Sequence, residues 1–286
     1  MTLNALTRAG LILATMVAMQ APAPAAEQAL AFNVLPQRSV ALTSQYWNPI
    51  LNYVSQKSGV LVELKLAKSS KETDENAEKG AYQFLYTNHF FTPERDRLGY
   101  RVIARPAGPG IRAEIVVAKD SEIQNLRDLE GKDVAFASPD AFAAYWLPMD
   151  AMLKAKVRVK ASFVGNQEAA SAQLRVHKVA AAGVNSTIMA RYGRREGFEY
   201  RVLWTSELYN DLCIMANPKV PAEKVAAVRN ALINMALDPA GRKVLEAGAE
   251  LLKFNGELGF VAAENRDYDN YRAFYKNTHV KDVAKD

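Results

Sequence analysis

The segment from Ser138 to Phe142 has residue types and spacing that suit the binding of an anion. It follows an apolar strand pattern, Val134 to Ala137, and precedes a helical pattern. Ser138 is a favoured N-cap residue, and Pro139 suits the first helical position because its φ is already helical. The next backbone N–H groups would then be free at the positive end of the helix dipole. An ordinary capped helix is the alternative. The predicted anion-binding residues are Ser138, Asp140, Ala141 and Phe142.

Short polar residues also follow two other strand patterns. Thr87, Asn88 and His89 end one strand, and Asn185 and Ser186 end another just before a helix. In parallel sheets the carboxyl ends of strands line the crevice in which ligands bind. Any single strand end of this kind is an ordinary turn, but three of them together predict a ligand cleft between two lobes.

Catalytic chemistry finds no support in the chain. The sequence has no nucleophile elbow, no His-Glu-x-x-His motif, no Walker loop and no glycine-rich dinucleotide turn. The three histidines, His89, His177 and His279, lie far apart and have no partner at metal-ligand spacing. We therefore predict no catalytic residue, no metal and no cofactor, and a protein that is not an enzyme.

The elements that must position these residues alternate between strand and helix patterns, which predicts α/β layers with largely parallel sheets. The first helix, Thr43 to Ser58, has apolar residues at helical spacing, with Thr43 or Ser44 as its cap and Gly59 at its end. Pro49 is expected near its first turns. The remaining strand patterns begin at about Leu30, Val60, Tyr82, Tyr100, Glu114, Val134, Ala161, Ala180, Tyr200 and Leu212.

The clearest break in the chain is the run from Pro106 to Gly110. It lacks the Gly-Lys-Ser/Thr ending of a phosphate loop, so it predicts a turn or hinge. Two α/β series of similar size on either side of it predict two lobes. We assign residues 27–110 and 216–286 to the first lobe and residues 111–215 to the second.

Charge and cysteine content exclude some functions. Without residues 1–26 the chain has 35 basic and 31 acidic residues, a net charge of +4, which is too mild and too evenly spread to indicate nucleic-acid binding. Cys213 is the sole cysteine, so no intramolecular disulfide forms. It lies in an apolar run and is expected to be a buried strand residue, with binding of a soft ligand as the alternative.

Residues 1–26 have the three parts of a cleavable secretory signal peptide. Arg8 provides the positive charge, Ala9 to Met19 form the apolar part, and Ala21 to Ala26 provide small residues for cleavage. The apolar run is too short to span a bilayer. We predict a mature protein in the periplasm that is a freely diffusing monomer.

Several motifs resemble one family. They are Trp47-Asn48-Pro49-Ile50-Leu51, Gly80 to Tyr86 before Asn88, Asp128 to Phe136 leading into Ser138-Pro139, Val184-Asn185-Ser186, and Asp238-Pro239-Ala240-Gly241. In their order and spacing they resemble the solute-binding components of phosphate, phosphite and phosphonate ABC transporters. The resemblance implies the type II periplasmic binding protein fold, in which two α/β lobes joined by a hinge close on a ligand.

The resemblance also implies site residues and partners. It implies that an anion-binding helix start is formed by Ser138, Asp140, Ala141 and Phe142. It also implies a first-lobe binding loop at Tyr86, Asn88 and His89 and a second-lobe strand end at Asn185 and Ser186. Arg38, after the first strand, is expected to face the cleft and could bind an anion bidentately, although an exposed arginine is the alternative. The implied partners are a small anionic ligand, either an oxyanion or a phosphonate, and a membrane ABC permease. A second hypothesis is a sensory adaptor that presents an oxyanion, such as an arsenic species, to a membrane histidine kinase.

Overall fold

The computed structural model describes residues 28–280. The strands are β1 (Leu30–Val34), β2 (Val62–Lys65), β3 (Phe84–Thr87), β4 (Arg101–Pro106), β5 (Ala113–Ala118), β6 (Asp133–Phe136), β7 (Lys160–Phe163), β8 (Ala181–Asn185), β9 (Tyr200–Thr205), β10 (Cys213–Ala216) and β11 (Phe260–Ala262). The α-helices are α1 (Val40–Ser58), α2 (Ser70–Glu78), α3 (Pro93–Asp96), α4 (Leu147–Lys154), α5 (Gln167–Arg175), α6 (Ser186–Glu196), α7 (Ala222–Ile233), α8 (Pro239–Leu252) and α9 (Asp269–Asn277). The predicted alternation of strands and helices is confirmed.

The strands form two sheets, one in each lobe. The first sheet has the order β11-β4-β10-β3-β1-β2, and the second has the order β7-β6-β8-β5-β9. The chain leaves the first sheet after β4, completes the second, and returns at β10. The predicted two-lobed α/β arrangement is therefore present. The exact lobe boundaries stay a prediction, and a boundary after Met215 would divide β10, which lies wholly in the first sheet.

Strand direction differs from the prediction of largely parallel sheets. The pairs of β1 with β2 and β3, and of β6 with β7 and β8, are parallel. Both β5 and β10 run antiparallel to their neighbours, as does β11. The prediction is wrong there because β5 and β10 each enter a sheet from a segment that crosses between the lobes, without the crossover helix that a parallel connection needs. β11 follows β10 through α7 and α8, so it runs parallel to β10 and antiparallel to β4, with which both strands pair.

Two extended segments connect the lobes and pair with each other. The Ile111 N–H donates to the Tyr209 carbonyl at 2.7 Å, and the Tyr209 N–H donates to the Ile111 carbonyl at 2.9 Å. Gly110, just before this bridge, has a φ of +104°, and a Cβ at this position would overlap the Tyr209 carbonyl oxygen. Only glycine fits this close approach. The predicted Pro/Gly break thus leads into the first of the two crossing segments.

Helix α1 begins earlier than predicted. Its N-cap is Ser39, whose hydroxyl accepts a hydrogen bond from the Leu42 N–H, so neither Thr43 nor Ser44 is the cap. Pro49 consequently lies in the middle of the helix and not in its first turns. Gly59 ends the helix in the left-handed conformation, as predicted.

The apolar face predicted for α1 is confirmed, because Trp47, Ile50, Leu51 and Val54 are all buried. The Trp47 ring packs against Phe32 of β1, with ring centroids 5.3 Å apart. Burial of each such side chain is worth about 1.5–3 kcal/mol. This packing fixes α1 against the first sheet, and Tyr46 and Trp47 of the same helix line the cavity described below.

The helix predicted to begin at Ser138 begins later. A π-helical turn spans Phe142–Trp146 and continues into α4. The Ser138 hydroxyl has no hydrogen-bond partner within residues 28–280, and the Ala141 N–H donates to the Ser138 carbonyl at 3.2 Å. The predictions of a Ser138 N-cap and of a free Ala141 N–H are therefore wrong. The Phe142 ring stacks on Tyr271 of α9 at 4.0 Å, and this tertiary contact overrides the local capping preference.

None of the helices in the described range is long and apolar enough to cross a membrane. The predicted signal peptide lies outside the described residues.

Candidate functional site

A cavity of about 280 Å³ lies between the two lobes. The first lobe contributes the loop after β1, one face of α1, the end of β3 and the side of α8, and the second lobe contributes the first turns of α6. The polar and charged lining residues are Gln37, Arg38, Tyr46, Tyr86, Thr187, Arg191, Asp211 and Glu257. Two predicted site residues, Arg38 and Tyr86, are therefore in this cavity.

Two arginines from different lobes face the cavity. Arg38 comes from the loop after β1, and Arg191 comes from α6. Neither forms a salt bridge within the described part of the chain, and the buried Arg191 Nε has no hydrogen-bond partner there. Burial lowers the pKa of Arg191, and the nearby positive charge of Arg38 lowers it further. The two guanidinium groups thus concentrate positive charge in a largely desolvated space.

Asp211, two residues before the start of β10, partly balances this charge. Burial raises the pKa of its carboxyl group. The Leu212 N–H, which donates to Asp211 Oδ1 at 2.7 Å, and the charges of Arg191 and Arg38 oppose that shift. The cavity is therefore lined by two positively charged groups and by one carboxyl group that is easier to protonate than that of an exposed aspartate.

Two tyrosines complete the polar wall. Burial raises the pKa of Tyr46 and raises that of Tyr86 still more clearly, so both hydroxyls remain protonated donors at neutral pH. Neither hydroxyl makes a hydrogen bond to any other described residue. Trp47 holds both rings in place, with centroids 5.6 Å from Tyr46 and 4.8 Å from Tyr86.

Contacts across the cavity hold the lobes together on this side. The Arg191 guanidinium lies over the Phe254 ring, 4.1 Å from its centroid. One helical turn further on, Arg194 Nη2 donates to the Lys253 carbonyl at 3.3 Å. Both first-lobe residues belong to the loop between α8 and β11, so this loop closes the cavity against α6.

The predicted residues Asn185 and Ser186 lie next to the cavity and support α6. Asn185 Oδ1 accepts hydrogen bonds from the N–H groups of Thr187 at 2.8 Å and Ile188 at 3.3 Å. The Ser186 hydroxyl accepts one from the Arg112 N–H at 3.1 Å. The free N–H groups of this helix start are thus already satisfied by its own cap. Direct ligand binding by Asn185 and Ser186 stays a prediction.

The other predicted residues do not line this cavity. Asp140 Oδ1 accepts a hydrogen bond at 3.3 Å from Arg95, which also pairs with Asp74 at 3.1 Å. His89 Nδ1 lies 2.9 Å from the same Asp74 carboxylate. Asn88 donates to the Tyr271 hydroxyl at 3.5 Å. Asp74, His89, Arg95 and Asp140 thus form a second polar cluster that is separate from the cavity.

Cys213 is a buried strand residue, as predicted. Its thiol lies 3.3 Å from the Thr87 carbonyl oxygen, and burial raises its pKa. Among residues 28–280, no group of three histidine, cysteine, aspartate or glutamate side chains could hold a metal ion.

Sequence reasoning missed Tyr46, Arg191 and Asp211 as members of the site. Asp211 precedes its strand, and because β10 runs antiparallel to β3, its start lies at the edge where β3 ends. Arg191 lies four residues after Thr187, so the two share a face of α6. Arg191 could have been predicted by looking for charged residues on the same face of the helix that follows the polar strand end at Asn185.

A known protein family matches most of the length of this chain. The family model for the periplasmic substrate-binding protein of phosphonate ABC transporters matches residues 32–268. The chain belongs to this family. The resemblance inferred from the motifs is thereby confirmed, and the family consists of periplasmic substrate-binding proteins, which are not enzymes. No curated protein sequence shows a significant match.

Several solved structures share the fold. The binding component of a phosphonate ABC transporter from Pseudomonas aeruginosa has a TM-score of 0.73 at 17% identity, covering 90% of this chain and 91% of that one. PhnD1 from Prochlorococcus marinus, solved with methylphosphonate, has a TM-score of 0.73 at 16% identity, covering 88% and 98%. A protein from Xanthomonas citri bound to chloride ion has a TM-score of 0.67 at 14% identity, covering 87% and 96%. The predicted type II periplasmic binding protein fold is confirmed.

Proposed function

We propose that this phosphonate-binding family member captures a small oxyanion or phosphonate-like ligand in the interlobe cavity and delivers it to a membrane ABC permease. The observation that carries the proposal is the placement of Arg38 and Arg191. They face one cavity from opposite lobes, and neither has a salt-bridge partner in the described chain.

The charge balance of the cavity favours an anion. Asp211 is the partly buried carboxyl of the lining, whereas Glu257 is exposed at the rim. Two guanidinium groups against one partly buried carboxylate leave an excess of positive charge. Burying a charge without a partner is costly, so a bound anion would supply the missing compensation. A guanidinium donates two parallel hydrogen bonds to an oxyanion, which makes arginine well suited to this role.

The same arrangement couples binding to lobe closure. An anion bound by both Arg38 and Arg191 bridges the first lobe and α6 of the second lobe. The contacts of Arg191 and Arg194 with the loop after α8 would form only when the lobes are closed. A ligand-stabilised closed form is what a permease can distinguish from the empty protein.

Calorimetric titration of the exported protein with methylphosphonate, phosphite, phosphate, sulfate and arsenate tests the proposal. We expect at least one of these anions to bind. The variant Arg191→Gln should weaken that binding by about tenfold to a hundredfold, since charge-assisted hydrogen bonds are lost. Arg175→Gln, which removes an exposed partner of Glu196, is the matched control and should change nothing. Silence against the whole panel would disprove the oxyanion proposal.

The helix-start site predicted from sequence is the competing proposal for the same anion. It draws support from the Ser138 hydroxyl, which is buried without a partner inside the described range. Ser138→Ala distinguishes the two locations. We expect it to leave the affinity unchanged, whereas loss of binding in Ser138→Ala and normal binding in Arg191→Gln would move the site to the helix start.

Transport and sensing share the same closed form. Deletion of the gene separates them, because loss of ligand uptake indicates the ABC permease as partner. Loss of a transcriptional response with normal uptake would instead indicate a membrane histidine kinase.

A further inference from the structure

The cavity has a second wall with a different character from the charged one. Helix α8 presents Leu245, Ala249 and Leu252 to the cavity, and their spacing of four and three residues places them on one face of the helix. Leu258 and Ile188 extend this surface. We propose that this wall is a subsite for an apolar substituent, so that the natural ligand is an alkyl- or arylphosphonate larger than methylphosphonate. The inference rests on the proposed function and adds the nature of the ligand's substituent.

The α8 wall offers no hydrogen-bond donor to a ligand. Its side chains are apolar, and Leu245 and Leu252 are buried. The Ala249 carbonyl at this position already accepts a hydrogen bond from the Phe254 N–H at 2.8 Å. An inorganic oxyanion has polar oxygens on every side, so the oxygen facing α8 would lose its water without gaining a partner. That loss is unfavourable.

A ligand with one charged end and one apolar end fits both walls at once. The Tyr46 ring marks the junction, because it rests against Gly248 of α8 so closely that a Cβ at Gly248 would come within 2.9 Å of the ring. The Tyr46 hydroxyl is part of the charged wall of the cavity, and the Tyr46 ring is part of the apolar wall. The anionic group would lie between Arg38 and Arg191, and the substituent would extend along α8.

A series of phosphonates with one headgroup and different substituents tests this subsite. Methyl-, propyl-, pentyl- and phenylphosphonate are titrated into the exported protein by calorimetry. Each methylene buried against α8 should raise the affinity by about fourfold until the wall is covered. Inorganic phosphate and phosphite should bind more weakly than propylphosphonate.

The variant Ala249→Phe places a ring on the apolar wall and should reverse the order, so that affinity falls as the substituent grows. Ala249→Leu makes the same test with a smaller side chain if the phenylalanine is not tolerated. Ala247→Phe, an identical change on the exposed face of the same helix, is the control and should retain the rising series.

The outcomes separate this inference from the proposed function. Equal affinity along the series, with methylphosphonate still bound, would overturn the apolar subsite and leave anion capture intact. A rising series that Ala249→Phe does not alter would also overturn it, since the substituent would then lie elsewhere. Silence from every phosphonate, together with silence from the inorganic anions, would overturn both.

Discussion

The Arg191 guanidinium of the second lobe stacks on the Phe254 ring of the first lobe, 4.1 Å from the ring centroid. The same guanidinium faces the ligand cavity, and its Nε has no hydrogen-bond partner in the described residues. One side chain therefore takes part in the contact between lobes and, in the proposed function, in ligand capture as well. The strength of this stacking should influence how long the closed form persists.

Replacing the ring tests that coupling. Phe254→Leu keeps an apolar side chain but removes the π face, and a partly desolvated cation–π contact is worth about 0.5–2 kcal/mol. We expect ligand dissociation to be several-fold faster in this variant, measured by stopped-flow fluorescence. Phe254→Trp should restore slow dissociation, and equal rates in Phe254→Leu and the wild type would show that the stacking has no role.

The buried Asp74 carboxylate should be important for stability. Its Oδ2 contacts His89 at 2.9 Å and Arg95 at 3.1 Å, and the side chain is only 1% exposed. Asp74→Ala leaves the Arg95 guanidinium without one of its carboxylate partners, so we expect the free energy of unfolding to fall by about 3 kcal/mol. Urea denaturation measures this loss. Glu75→Ala, on the exposed side of α2, should change stability by less than about 0.5 kcal/mol.

Asp150 should make the C-terminal segment sensitive to acid. Its burial opposes ionisation, but hydrogen bonds from Lys154, the His279 N–H and the Thr278 hydroxyl outweigh that effect and lower its pKa below the usual 3.8. A depressed folded-state pKa gives stability that is present above the unfolded pKa and lost as the pH falls through the folded value. The wild type should therefore melt above Asp150→Asn at pH 7, and the difference in Tm should shrink at pH 3. Asp120→Asn, an exposed change, should melt like the wild type at both pH values.

Cys213 should be chemically inert in the folded protein. Burial raises the pKa of its thiol, so the reactive thiolate is scarce at neutral pH. We expect no reaction with a thiol reagent such as Ellman's reagent in buffer and a complete reaction in urea. A fast reaction of the native protein would revive the hypothesis that Cys213 binds a soft ligand.

The alternating strand and helix patterns predicted the α/β layers because each depends on residues that are close in sequence. The family resemblance implied Tyr86, and the loop after the first strand implied Arg38; both residues line the cavity. Asp211 was missed because its location follows from the antiparallel return of β10, which depends on residues far away in the chain. The Ser138 cap was wrong for a similar reason, since the Phe142 ring is held by Tyr271, 129 positions later.

The position of β10 also has a consequence for biogenesis. β10 lies between β3 and β4 in the middle of the first sheet, whereas the second sheet is drawn from one continuous stretch of chain. A nascent chain that has not yet reached Cys213 has no strand to fill the gap between β3 and β4, and open strand edges of this kind invite aggregation. The second lobe can assemble as soon as its own residues are available. The first must wait for the last quarter of the polypeptide.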